Sequence, residues 1–109
     1  MKYIWQIIRL GLQDELNQEG ALLENSIVRV KWKKIAEDTD GVRASYVGET
    51  KLSAANVAQS DFIAVNEVAQ ADVVKWVQDS INTKEMARID KLLSDKIERN
   101  RVREIKPNW

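Results

Sequence analysis

Asp38 and Asp40 stand two residues apart just before Gly41, and they come nearest to a metal-loop spacing in this chain. A calcium loop needs further oxygen ligands at alternate positions and a closing Glu, and the pattern stops short of both. The pair therefore reads as turn chemistry, in which an Asp side chain accepts backbone N–H groups. Asp61, Asp72 and Asp79 are dispersed, with no partner carboxylate close in sequence. Histidine and cysteine are absent, which removes the commonest proton shuttle and the soft nucleophile. Serines 26, 45, 53, 60, 80 and 94 lack a histidine to activate them. The glycines, at 11, 20, 41 and 48, are isolated and form no phosphate-cradling loop. The expectation is a non-enzyme with no catalytic residue, no metal ligand and no cofactor.

Contact chemistry is better supplied. Arg29, Lys31 and Lys33 alternate with Val28, Val30 and Trp32, so on a strand the three cations project together as a phosphate-tracking face would require. Trp32 points the other way and cannot stack on a base beside them. The plainer reading is a solvated strand face whose lysines discourage edge pairing. A second basic stretch, Arg99, Arg101, Arg103 and Lys106, is diluted by Glu98 and Glu104. Cations at a helix end complement its dipole. A charged helix end feeding a tail that closes on Trp109 also suits an interaction arm. The candidate interaction residues are therefore Arg29, Lys31 and Lys33 on the strand, with Arg101, Arg103, Ile105, Pro107 and Trp109 at the C-terminus. An indole at the last position either folds back into a groove or is captured by another subunit.

The elements that must position these residues follow from pattern. Lysine plus arginine and aspartate plus glutamate both total 17 in 109 residues, so there is no global field toward nucleic acid or an anionic membrane. Hydrophobic residues at 44% and charged ones at 31% suit a folded domain with one core. Nothing in the first residues reads as a signal peptide, and no run approaches a membrane span. Residues 3–12 are rich in β-branched and aromatic types, and the adjacent Ile7 and Ile8 require either a bulge or a strand buried on both faces. Residues 13–24 read as an acidic loop pinned by Leu16, Leu22 and Leu23. Ser26–Ala36 and Val42–Leu52 read as a hairpin about the turn Asp38-Thr39-Asp40-Gly41.

A long loop over 53–66, anchored by Phe62, leads to two helices. Val73, Trp76, Val77 and Ile81 mark the first, capped by Asn66 with a start near Glu67 or nearer Gln70. Met86, Ile89, Leu93 and Ile97 mark the second, capped by Asn82 or Thr83, with Asp95 and Arg99 as an outer pair. The fold class is α+β: an N-terminal antiparallel sheet of three or four strands with a central hairpin, packed by two C-terminal helices. Residues 1–101 form one domain and 102–109 a C-terminal tail.

Five short motifs run along this layout: Tyr3-Ile4-Trp5, Val28-Arg29-Val30-Lys31-Trp32, Tyr46-Val47-Gly48, Val73-Val74-Lys75-Trp76-Val77 and Pro107-Asn108-Trp109. In them the chain resembles a family of small uncharacterised proteins of tailed bacteriophages. It departs from that pattern in a longer acidic insertion at 13–24 and in lacking prolines over 53–66. The resemblance implies a phage protein and, as the role it favours, a virion component of capsid, neck or tail. The expected partners are other protein subunits, as a homo-oligomer or with virion proteins, in the virion or the host cytoplasm, with nucleic acid disfavoured and no membrane. The alternative is an intracellular phage or host regulator that binds a protein or nucleic acid through the basic strand face.

Overall fold

The computed structural model describes residues 1–54, 57–102 and 106–108. Three strands, β1 (Lys2–Leu16), β2 (Leu22–Glu37) and β3 (Arg43–Lys51), form an antiparallel meander in the order β1-β2-β3. Two helices follow, α1 (Gln70–Ser80) and α2 (Thr83–Arg101), and both lie on one face of the sheet, α1 against β1 and α2 across β2 and β3. The α+β class and the sheet-then-helices order are those the sequence predicts.

The central hairpin forms because Asp38 holds its turn from the inside. Its carboxylate accepts the N–H of Asp40 and of Val42, both at 2.9 Å, and Gly41 takes the positive φ of 82° that the turn needs. Along β2, Val30, Trp32, Lys34 and Ala36 are buried toward the helices. Val73 and Val77 of α1 and Ile89, Leu93 and Ile97 of α2 meet them, each helix offering the stripe its spacing predicts.

Trp32 is buried in this core. Its ring centroid lies 5.2 Å from Trp5 and 5.8 Å from Tyr46, and its indole N–H donates to Thr50 Oγ1 at 3.0 Å. The opposite residue on β3 is Gly48. A Cβ there would stand 2.3 Å from the indole, so the ring lies directly on the glycine backbone.

Lys34, next to Lys33 in the sequence, shares the helix-facing side with Trp32 and is only 4% exposed. Its Nζ lies 2.5 Å from Asp90 Oδ1 on α2, 4.3 Å from the Tyr3 ring centroid and 5.1 Å from that of Trp5. Burial, with the nearby Asp90 carboxylate, raises the Tyr3 phenol pKa above its ordinary value.

The N-terminal half departs from expectation. Residues 13–24 are not an acidic loop: β1 runs on to Leu16 and β2 starts at Leu22, joined by a tight turn. Asn17 builds that turn, its side-chain oxygen accepting from Glu19 N and Ala21 N, with Gly20 at φ 79°. The alternation that signals a strand is broken by register shifts between Ile7 and Arg9, Gly11 and Leu12, and Gln13 and Glu15. Of the two readings of Ile7-Ile8, the bulge is the observed one, and Ile8 is 43% exposed.

The loop before α1 contains a 3₁₀ turn, Gln59–Asp61. Asn66 does not cap α1. The helix starts at Gln70, where Ala69 N donates to the Asp72 carboxylate. Asn82 caps α2, accepting from Glu85 N at 2.7 Å. Asp95 pairs with Lys91, not with Arg99, since the preceding turn also presents a cation on that face.

Because β3 pairs with β2 only as far as Arg29, the far end of the β1–β2 hairpin continues as a two-stranded ribbon. Strands of this length span about 50 Å at ~3.3 Å per residue, and the molecule measures 71 × 27 × 20 Å. Its radius of gyration, 18.7 Å, exceeds the ~13 Å of a compact domain this long.

Two substitutions test the core. Trp32→Ala should lower stability in urea denaturation by about 3–5 kcal/mol, as truncating a buried aromatic does; an unchanged midpoint would place Trp32 outside the core. Gly48→Ala should cost about 1–3 kcal/mol, the usual penalty for overpacking, and a neutral result would mean the indole does not rest on that backbone.

Candidate interaction surface

The helices cover one side of the sheet, and among the described residues no element covers the other. The strand registers place the residues of that open side in rungs. Gly11, Arg29 and Lys51 form one, followed by Arg9, Lys31 and Glu49, then Gln6, Lys33 and Val47. Ile4, Ile35 and Ser45 come next, and Lys2, Glu37 and Arg43 complete the series. The face therefore holds seven cations against two carboxylates, a net of five positive charges on a chain whose total is zero.

These charges do little for the fold. Arg29 is directly opposite Lys51 and Arg9 directly opposite Lys31, and like charges across a ladder destabilise it. Among the described residues, Arg43 is the one cation of this face in an ion pair, with Glu37 at 2.9 Å. Aliphatic groups lie between the charges: Val47 is 48% exposed, Ile4 and Ile35 are half-buried, and Ile8 is pushed out at the bulge.

Gly11 lets the Arg29 side chain lie flat across β1, since a Cβ there would stand 3.1 Å from Arg29 Cβ. No aromatic side chain stands in the rungs. The arrangement can attract an anionic surface and cover apolar area beside it. It offers no base-stacking platform.

Three predicted residues, Arg29, Lys31 and Lys33, thus fall on one surface, and Trp32 is on the opposite side as expected. Sequence reasoning missed Lys2, Arg9, Arg43 and Lys51 as their companions. Alternation along β3 already separates Arg43 and Lys51 from Tyr46, but only the register carries them to Arg29 and Glu37.

Arg101 belongs elsewhere. At the end of α2 its guanidinium bonds the Asp38 carboxylate, reaches Asp40 at 3.3 Å and Glu98 at 3.4 Å, and so ties the helix to the central turn. Asn100 adds a bond to Arg43 O at 2.9 Å. Pro107 is exposed. Arg103, Ile105 and Trp109 lie outside the described residues.

A contrasting surface lies at the ribbon end. Between Leu10 and Val28 the chain has Asp14, Glu15, Glu19 and Glu24 and no Lys or Arg. Glu15 is used internally, accepting from Ser26 Oγ and Ser53 Oγ, and Asp14 accepts from Asn25 N. Asn25 takes a φ of 53°, in the left-handed region that Asn tolerates better than most. Glu19 and Glu24 are exposed, as are Leu12 at 45%, Leu16 at 64% and Leu22 at 51%.

Separately, an apolar cleft of about 630 Å³ between the ribbon and α1 is lined in part by Ile27, Leu52, Phe62 and Trp76. Among the described residues no helix is long and apolar enough to cross a membrane.

The family follows from comparison of the whole chain. Residues 1–108 match the model of a domain of unknown function, DUF7936. This chain belongs to the DUF7936 family. No curated protein and no solved structure matches it. In this DUF7936 domain the match runs through the sheet, both helices and most of the tail.

If the open-face cations serve contact and not folding, Arg29→Thr should leave stability unchanged or raise it by a few tenths of a kcal/mol, by removing like-charge repulsion. Arg101→Ala should lower it by about 1 kcal/mol, the upper end for an exposed ion-pair network. Chemical denaturation of the two variants checks both signs.

Proposed function

We infer that this chain is a non-enzymatic contact module, a structural or accessory component of a tailed-phage virion that acts by protein–protein contact at capsid, neck or tail. The observation that carries the contact reading is the uncovered sheet face, where five net positive charges and exposed aliphatic groups share one surface. The absence of His and Cys supports a role without chemistry at the side chains. The phage and virion assignments rest on the five motif resemblances. The protein would reside in the virion or in the host cytoplasm before assembly.

The same cations favour a second reading, an intracellular phage or host regulator that holds nucleic acid or a protein on the basic face. Aliphatic groups between the charges and the lack of a stacking ring in the rungs make the protein partner the better fit.

Mass spectrometry of purified virions tests the first reading. The chain should be found there in stoichiometric amount, and its absence would overturn the virion role. Salt titration separates the second. A duplex held by six or more phosphate contacts should lose roughly 10³–10⁵ in affinity between about 50 and 200 mM salt, whereas a protein contact with apolar burial should weaken far less.

A further inference from the structure

We propose that the partner of the basic sheet face is a second copy of this chain, docked through its acidic ribbon tip. The inference rests on the reading that the module works by protein contact, and it names that partner. The two surfaces are complementary in charge and in apolar character. The tip brings Glu19 and Glu24 with the exposed Leu16 and Leu22, and the face brings Arg29 and Lys33 with the exposed Val47.

Leu16 and Leu22 are direct cross-strand partners, so they form one apolar patch at the end of the molecule. Surface leucines that are half or more exposed gain by burial, at about 25 cal/mol per Å². The tip is preorganised for contact. Asn17 Nδ2 donates to Val57 O at 2.9 Å, and Ser53 Oγ donates to Glu15 at 3.0 Å, so Ser53 and Val57 brace the ribbon and little order must be gained on docking.

Charge also limits the alternatives. Two basic faces repel each other, so directly superposed faces are disfavoured. A phosphate backbone would match the cations but leave Ile4, Ile35 and Val47 without an apolar partner. A tip-to-face contact satisfies both.

Charge reversal in the full chain tests the contact, with assembly read by sedimentation velocity and folding by circular dichroism. Wild-type protein should self-associate at high micromolar concentration, and added salt should weaken but not abolish the assembly. Glu19→Lys with Glu24→Lys should give folded monomer, as should Arg29→Glu with Lys33→Glu. The quadruple variant, which exchanges the two signs, should associate again. Among the described residues neither tip glutamate carboxylate makes a fold-supporting bond, and the Glu19 bond to Asn17 is through the backbone N–H, so the tip variant should fold.

A monomeric wild type would overturn the proposal, as would assembly indifferent to either reversal or a quadruple variant that stays monomeric. Wild-type monomer that binds a DNA duplex through Arg29 and Lys33 would give the face to nucleic acid instead. The virion result is independent of this one: a chain found in virions yet monomeric in solution would sink tip-to-face association while leaving the contact role standing.

Discussion

The Trp32 indole ties the three strands together within the core that the helices close. Trp5 of β1 and Tyr46 of β3 flank it on either side, Gly48 gives it room on the third strand, and Thr50 takes its N–H. A buried indole with an unsatisfied donor would carry a desolvation cost of about 1–3 kcal/mol, so the Thr50 contact makes the position polar-compatible as well as filled. The register of β3 against β2 follows from this packing. A one-residue slip would remove glycine from beneath the ring and turn the wrong face of β3 to the helices.

Beside the indole sits a charge. Lys34 enters the same layer because the pleat leaves it no other side, and Asp90 on α2 with the Tyr3 and Trp5 rings makes its burial tolerable. Such a pair adds little net stability compared with apolar residues of similar size. It does fix where α2 crosses the sheet, since Asp90 has to reach the ammonium. Arg101 fixes the far end of the same helix against the Asp38–Asp40 turn. The helix is thereby positioned at its middle by a buried contact and at its end by an exposed one.

With the helices committed to one side, the opposite side of the sheet carries charge without burying it. Its rungs accept like-charge neighbours that a sheet selected for stability alone would avoid. The acid that balances them is concentrated at the ribbon end, away from the cations. A neutral chain with charge separated in this way has a directional surface, and neutrality removes the net repulsion that would keep copies apart.

Local periodicity by itself determined the central hairpin, the apolar stripes of both helices and the α+β order, because period two and period three-to-four survive without neighbours, while the structure chose Asn82 over Thr83 as the cap of α2. Tertiary structure decided the rest. Three register shifts hid the length of β1 and β2, since each bulge resets the alternation on which a strand is recognised, and residues 13–24 therefore looked like a loop. Strand parity already put Lys34 on the Trp32 side, away from Lys31 and Lys33, but only the packing of α2, with Asp90 at its ammonium, made it a buried cation. Three of the predicted interaction residues met on one surface, but Lys2, Arg9, Arg43 and Lys51 joined them through pairing between strands far apart in sequence. Which charges become neighbours is set by register, and register is fixed by what the indole, the glycine and the helices can pack together.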